Sequence, residues 1–209
     1  MANAHTPKRE RRSVREESRA VYRQAILEAA IRIFGRLGFS AAKIADIAAE
    51  AGVATGTLYN YFSSKEDIFL SILDAGRERL GAELELRATI EDPLTRMREL
   101  VRTMFEFLEE NGALFTIYMQ VGGNPIQLRR DPNSPDEAVR QFVLSQFTAA
   151  LIEAGDRIRQ DYPIETLATA LGGFINGALL DWIERGCQPG LRAQTDTLMD
   201  LFLHGATPR

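Results

Sequence analysis

The chain has 209 residues, of which 45% are hydrophobic and 26% are charged, proportions that are ordinary for a soluble globular protein. This length can bury a sizeable core in one large domain or two small ones, and the lack of any run of about 18 apolar residues argues against a transmembrane helix. Residues 1–19 lack the apolar stretch of a secretory signal, and the single cysteine, Cys187, excludes an intramolecular disulfide framework. We therefore expect a cytoplasmic protein.

The net charge of −4 argues against a nucleic-acid partner for the chain as a whole, but the charge is unevenly distributed. Residues 1–43 contain ten Lys and Arg residues and only four Asp and Glu residues, a net charge of +6. The remaining residues therefore carry a net charge of −10. A basic end on an acidic body indicates that this end alone meets a polyanion, although a solvated basic tail would look the same.

The N-terminal third has the three-to-four residue period of amphipathic helices. A first helix begins near Tyr22 and ends near Gly38, since glycine tolerates the left-handed geometry of a helix end. A short second helix ends at Gly52, and a third spans residues 53–62. Ser64, with an acidic residue three positions later, forms a capping-box-like start for a long fourth helix.

The C-terminal part continues as helices that are separated by clear breaks. An apolar stripe from Met97 to Leu108 predicts a fifth helix, and residues 122–135 read as a loop rich in Gly, Pro, Asn and Asp. The other helices are expected at 114–121, 134–154, 163–185 and 194–204. The prediction is an all-α fold of about nine helices, with an N-terminal three-helix helix-turn-helix domain and a C-terminal helical bundle.

Residues 43–62 have the pattern of a helix-turn-helix, two short helices joined by a turn that contains glycine. The apolar residues that can pack inward are Ile47, Ala48, Val53, Leu58 and Phe62. The outward side chains of the second helix are uncharged donors and acceptors, the kind that reads base edges and binds phosphates. They are Thr55, Thr57, Tyr59, Asn60 and Tyr61. A plain helical hairpin with aromatic core residues is the alternative.

Several short segments between residues 22 and 73 occur together in one known family. They are Ala30-x-x-x-Phe34, Gly38-Phe39-Ser40, Ile44-Ala45-Asp46-Ile47-Ala48, Ala51-Gly52-Val53, Gly56-Thr57-Leu58-Tyr59, Tyr61-Phe62 and Ser64-Lys65-Glu66. In these segments the chain resembles the N-terminal domain of the TetR family of bacterial transcriptional regulators. The resemblance implies a flexible basic arm at 1–18, a DNA-binding domain at 19–65, and an effector-binding and dimerisation domain at 66–209. The last of these matches the family in architecture only.

The resemblance also implies which residues lie against DNA. The implied positions are Lys43, Ala45, Thr55, Gly56, Thr57, Tyr59, Asn60, Tyr61 and Lys65. Residues 55–57 would meet base edges, residues 59–61 would bind phosphates and sugars, and the two lysines would bind phosphates at helix starts. Ala45 lies where some members carry a long side chain that contacts a base, so we expect weak base reading from the second helix. The basic arm, Lys8 to Arg15, is a further candidate contact.

For the C-terminal bundle, the resemblance implies a small-molecule site and a homodimer interface formed by the last two helices. We expect the effector to be hydrophobic or neutral, because no Arg or His interrupts the apolar stripes of residues 97–121. Its candidate contacts are Met104, Phe107, Leu108, Phe115, Tyr118, Met119, Phe147 and Asn176. The candidate dimer residues are Leu171, Phe174, Ala178, Trp182, Leu198 and Phe202. An ordinary core is the alternative for both sets.

The expected function is a ligand-responsive repressor that binds a palindromic operator as a homodimer, without a cofactor, a metal site or catalytic residues. An activator of the same architecture and a helical adaptor that does not bind DNA are the alternatives. An enzyme is not expected, because the sequence has only two histidines, His5 and His204, and lacks a phosphate-binding glycine loop and a nucleophile motif.

Overall fold

The computed structural model describes the backbone of residues 8–120 and 135–205, and the side chains of residues 19–118 and 137–205. These ranges contain nine α-helices, one short 3-10 helix at Gly155–Arg157 and no strand, which confirms the all-α prediction. The helices are α1 (Lys8–Ala41), α2 (Ile44–Glu50), α3 (Thr55–Leu58), α4 (Lys65–Ala88), α5 (Pro93–Glu110), α6 (Gly112–Gln120), α7 (Pro135–Ala154), α8 (Ile164–Glu184) and α9 (Gln194–His204). The predicted loop at 122–135 lies, except for its last residue, outside the described residues.

The chain divides into two compact units, Met1–Leu73 and Asp74–Arg209, and helix α4 spans the boundary. The sequence-based division into an arm, a DNA-binding domain and an effector domain stays a prediction. Helix α1 begins at Lys8, well before the expected start near Tyr22. Its first two turns have no apolar stripe, so periodicity gave no signal there, although Arg and Glu favour helix formation.

The core of the first unit is formed by one face of α1 and the inward sides of α2, α3 and the start of α4. Its fully buried members include Ile26, Ile33, Ile47, Leu58 and Ile68. Three phenylalanine rings from α1 and α4 stack beside them with centroids 5.3–5.9 Å apart: Phe34, Phe39 and Phe69. This core determines where the short helices α2 and α3 lie on α1.

Helix α1 is broken at Gly38, whose φ of 75° and ψ of 162° lie in a region that only glycine adopts easily. The carbonyls of the residues after Gly38 therefore do not continue the hydrogen-bonding direction of α1. They are available to donors outside the helix. The prediction that a glycine ends the first helix is confirmed at this position.

The second unit is a bundle in which α5, α7, α8 and α9 enclose an apolar core. Its largest fully buried side chains are Phe105, Phe147, Trp182, Leu84 and Met97. Helix α5 begins sharply, because the Asp92 carboxylate accepts a hydrogen bond from the Thr95 N–H at 2.8 Å and Pro93 occupies the first turn.

Helix α8 is apolar on two sides. One side, which includes Leu171, Ile175 and Trp182, is buried in the core of its own unit, while Phe174 and Leu180 are 42% and 45% exposed. With 21 residues, α8 alone among the described helices is long and apolar enough to cross a membrane by length and composition. A helix whose one side is buried in the core has the same composition, and that is the case here.

Candidate nucleic-acid interface

The turn between α2 and α3 is formed by local backbone geometry. Gly52 has a φ of 68°, the left-handed conformation that ends α2, and the Val53 N–H donates to the Ala48 carbonyl at 3.0 Å. Ala48 and Leu58 are buried on either side of this turn, so the two helices are close together. The predicted helix-turn-helix is therefore present, with its connection where the sequence indicated.

Helix α3 is shorter than the predicted 53–62, since regular helix covers only Thr55–Leu58. The chain stays wound to Phe62 through tighter bonds: the Asn60 N–H donates to the Thr57 carbonyl, and the Tyr61 N–H to the Leu58 carbonyl. The outward side chains of this single helical turn, and of the tight turns that follow it, are therefore close together along the chain. We call residues 55–61 the reading segment.

The reading segment has an exposed, uncharged surface. Thr55, Gly56 and Asn60 are exposed, Tyr59 is 54% exposed, and Thr57 is half-buried. A methyl group added to Gly56 would meet no atom within 4 Å, so this position faces open space. Hydroxyl, amide and phenol groups on such a surface can donate to and accept from base edges and phosphate oxygens.

The start of α2 carries one exposed cation and one exposed methyl group. The Lys43 N–H donates to the Asp46 carboxylate at 3.1 Å, which caps the helix and leaves the Lys43 side chain exposed. Ala45 is exposed as well and offers no polar group. At the other end, an Arg32 hydrogen bond of 2.8 Å, with Arg36 nearby, keeps the pKa of Glu50 below its ordinary value.

Lys65, at the start of α4, is turned towards the end of α1. Its ammonium group donates to the carbonyls of Phe39 at 2.6 Å, Ala42 at 3.1 Å and Ser40 at 3.4 Å. It also lies 4.5 Å from the centroid of the Phe39 ring. An ammonium group has three N–H donors, so all of them have partners here.

Two arginines that sequence reasoning did not select lie beside the reading segment. The Arg19 guanidinium is 5.9 Å from the Tyr61 ring centroid, and that of Arg23 is 5.2 Å from the Phe62 ring centroid. Tyr22 lies between them in the sequence, with its ring 6.3 Å from that of Tyr61. Periodicity gave no signal for these cations, because stacking of α1 on residues 61 and 62 is a tertiary contact.

The candidate effector residues are divided between different environments. Phe147 is fully buried, while the half-buried members are Met104, Phe107, Leu108, Phe115 and Tyr118. Phe107 lies against α4, since a methyl group added to Gly76 would be 3.3 Å from its ring. Asn176 is exposed on the outer side of α8, so the expectation that it faces an internal ligand is corrected. The side chain of Met119 lies outside the described residues.

Three of the candidate dimer residues are corrected by their burial. Leu171, Trp182 and Leu198 are at most 5% exposed within a single chain, so they belong to its own core. The half-exposed Phe174 remains available, and its ring lies 6.3 Å from that of Phe202. Ala178 is half-buried. The pattern failed because α8 is apolar on both sides, and periodicity cannot say which side faces inward.

Comparison with known proteins identifies the same region. Residues 26–78 match the family model described as bacterial regulatory proteins, tetR family. The chain is 30% identical over 199 residues to the HTH-type transcriptional repressor BepR of Brucella suis biovar 1, covering 88% of this chain and 86% of that protein. It is 25% identical over 198 residues to the fatty acid metabolism regulator protein of Bacillus subtilis, covering 91% and 97%.

One solved structure with the same fold contains a ligand. It is the transcriptional regulator FadR from Bacillus subtilis in complex with stearoyl-CoA, with a TM-score of 0.60 and 20% sequence identity. The match covers 88% of this chain and 99% of that one. At this identity the likeness concerns the fold, and it extends over both units of the chain.

Proposed function

Because the chain belongs to the TetR family of bacterial regulatory proteins and is a DNA-binding transcriptional regulator, we propose that it represses transcription as a homodimer bound to a palindromic operator. The observation that carries this proposal is the reading segment, an exposed and uncharged surface on a tightly packed helix-turn-helix. Members of this family are regulators, which confirms that the chain is not an enzyme. We propose the bacterial cytoplasm as its site of action, since operator DNA is found there.

For DNA recognition, we propose that Thr55, Gly56 and Thr57 contact base edges in the major groove. The exposed hydroxyl of Thr55 and the open space at Gly56 support this assignment, because the groove floor must approach the backbone closely. Tyr59, Asn60, Tyr61 and Lys43 then contact phosphates and sugars. Ala45 contributes at most an apolar contact, as to a thymine methyl group.

For dimerisation, we propose the outer side of α8 together with α9. The exposed residues on this side recur at helical spacing, and we call them the outer stripe: Ala170, Gly173, Phe174, Gly177 and Leu180. A methyl group added at either glycine would meet nothing within 4 Å in a single chain, so a partner helix has room to approach. Two-fold symmetry would present two reading segments to half-sites about 34–36 Å apart.

For the effector, we propose a hydrophobic molecule of the fatty-acyl class. The half-buried aromatic and Met side chains of α5 and α6 support it, as do the relatives, one named for fatty acid metabolism and one solved with stearoyl-CoA. The effector would favour a dimer state with a different spacing of the reading segments. A coupling free energy of about 1–3 kcal/mol is typical for such a response.

The proposal is tested by selecting bound DNA from a random pool with the purified full-length chain. We expect an inverted repeat whose half-site spacing fits a two-fold dimer. A single unrepeated site would contradict the dimer, and recovery of no preferred sequence would contradict sequence-specific recognition. Titrating stearoyl-CoA and free stearate into the selected complex then tests the effector class, since release of DNA by neither would contradict it.

A transcriptional reporter driven by a promoter that carries the selected site distinguishes repression from activation. We expect lower expression when the chain is present. Higher expression would support the activator and contradict the repressor. The matched control is a promoter whose inverted repeat has been scrambled, on which the chain should have no effect.

A further inference from the structure

Lys65 has the position expected of a phosphate-binding lysine, but its donors are already used. Three carbonyl oxygens surround its ammonium group at 2.6, 3.1 and 3.4 Å, and they belong to the last residues of α1 and to Ala42, which follows it. The Phe39 ring packs against the same group at 4.5 Å. To bind a phosphate, Lys65 would have to leave the part-buried carbonyls of Phe39 and Ala42 without this donor, which costs free energy.

The start of α4 is also negatively charged in its own right. The Asp67 carboxylate accepts hydrogen bonds from the Ser63 N–H at 2.8 Å and from the Ser63 hydroxyl at 3.0 Å. Glu66 adds a second acidic side chain in the same turn, and it is exposed. These carboxylates already complement the helix dipole, so this helix start has little attraction left for a phosphate.

Arg19 and Arg23 have the opposite character. Each stacks its guanidinium on an aromatic ring, of Tyr61 and Phe62 respectively, and neither has a carboxylate partner within the described part of the chain. A cation–π contact of this kind does not use up the N–H donors of a guanidinium, which can still bind phosphate oxygens. Both arginines are exposed; Arg19 contacts Tyr61 of the reading segment, and Arg23 contacts Phe62, the residue that follows it.

We infer that Arg19 and Arg23 bind the operator phosphates beside the reading segment, and that Lys65 is a positioning residue which does not touch DNA. Lys65 instead joins the start of α4 to the end of α1 and to Ala42 through hydrogen bonds. These bonds orient α2 and the reading segment that follows it. This inference rests on the proposed function, since it concerns how the same interface binds DNA. It adds a surface on α1 to that interface.

Two measurements separate a phosphate contact from a positioning residue. Loss of a phosphate contact weakens binding to all DNA and reduces the slope of log Kobs against log salt by about one per contact, hence by about two for a dimer. Loss of positioning weakens operator binding more than binding to random DNA and leaves the slope unchanged. Both are measured by fluorescence anisotropy on the selected operator and on a scrambled duplex.

We expect Arg19→Gln and Arg23→Gln each to reduce the slope without changing the ratio of operator affinity to random-DNA affinity. Lys65→Gln should keep the slope and lower that ratio on the order of tenfold, as for a lost charge-assisted hydrogen bond. Arg159→Gln is the matched control, because Arg159 is an exposed, ring-stacked arginine in the second unit, and it should change neither quantity. Circular dichroism at the assay temperature selects conditions in which every variant is folded.

Lys65→Arg keeps the charge but replaces a compact ammonium by a planar fork that does not fit three converging carbonyls. We therefore expect Lys65→Arg to resemble Lys65→Gln in its affinity ratio. Wild-type behaviour of Lys65→Arg, or a reduced slope for Lys65→Gln, would overturn the positioning role. Unchanged slopes for both arginine variants would overturn the α1 surface. Failure of the wild-type chain to prefer the operator would instead overturn the proposed function.

Discussion

The two units of this chain present their functional surfaces in different ways. In the first unit, α2 and α3 are short, each has a distinct buried side, and the polar residues left over are exposed. In the second unit, α8 is apolar on both sides, and only packing decides that Trp182 is buried and Phe174 is not. A functional surface made of polar residues can therefore be predicted from an amphipathic sequence pattern. A surface made of apolar residues cannot, because the pattern does not distinguish it from the core.

The largest expected effect tests this difference within α8. Trp182→Ala should lower the free energy of unfolding by about 3–5 kcal/mol, because the ring is 2% exposed and its indole N–H donates to the Gln188 carbonyl at 2.7 Å. Phe174→Ala should cost the single chain much less, because this ring is 42% exposed, and should raise the dissociation constant of the proposed dimer. Chemical denaturation and sedimentation at several concentrations measure the two effects.

Trp182→Phe is the control, since it keeps an aromatic ring in the core and should recover most of the lost stability. A Phe174→Ala variant that remains as dimeric as the wild type would contradict the assignment of the outer stripe to the dimer interface. A Trp182→Ala variant of near wild-type stability would contradict the burial of this ring in the core of its own chain.

The second effect concerns Gly35 and Gly38, two glycines of α1 that have different backbone conformations. Gly38→Ala should lower the free energy of unfolding by about 1–3 kcal/mol, because its φ of 75° with ψ of 162° is strained for any other residue. Gly35→Ala should raise it by about 0.5–1 kcal/mol, because Gly35 lies within the helix with open space around it. Thermal unfolding of both variants gives the sign of each change in stability. If both variants were stabilised, or both destabilised, the break in α1 at Gly38 would be contradicted.

The third effect concerns the reading segment. Thr55→Val keeps the shape and the methyl group of the side chain and removes its hydroxyl. We expect it to reduce discrimination at one base pair of each half-site by roughly 1 kcal/mol, without a change in stability, since Thr55 is exposed. Binding to a set of single-base operator variants measures this. Thr89→Val, at an exposed threonine directly after α4, is the control and should leave the base preference unchanged.

The smallest effect concerns acid stability in the second unit. The Glu109 carboxylate accepts from the Arg192 N–H at 2.9 Å and the Gly190 N–H at 3.1 Å, and these bonds, that of Arg192 foremost, lower its pKa in the folded chain. A carboxyl with a lowered folded pKa stabilises the fold above its ordinary pKa, and this stabilisation is lost as the pH falls towards the folded value.

Glu109→Gln should therefore lower stability slightly near neutral pH, by less than about 1 kcal/mol, and should flatten the decline of stability between about pH 5 and pH 3. Urea unfolding across this range measures it. The neighbouring Glu110 is exposed and serves as the control, since Glu110→Gln should preserve the wild-type profile. A wild-type profile in Glu109→Gln would contradict the contribution of these hydrogen bonds.

Much of the fold was predictable from local pattern, because turns and caps are encoded by neighbouring residues. Gly38, Gly52 and Ser64 mark helix ends in the sequence, and the structure has a break in α1 at Gly38, the end of α2 next to Gly52 and the start of α4 directly after Ser64. What depended on tertiary contact was not predictable. The bonds from Lys65 to the end of α1 span more than twenty residues, and the stacking of Arg19 on Tyr61 joins two distant segments.

The outer stripe of α8 has a consequence for protein abundance. A chain that folds alone leaves Phe174 and Leu180 in contact with water, so the proposed homodimer would gain part of its stabilisation only when two copies meet. By mass action, its melting temperature should then rise with its concentration. A regulator present at few copies per cell would be less stable than the same molecule in a concentrated solution. The amount synthesised would therefore affect how long each molecule stays folded.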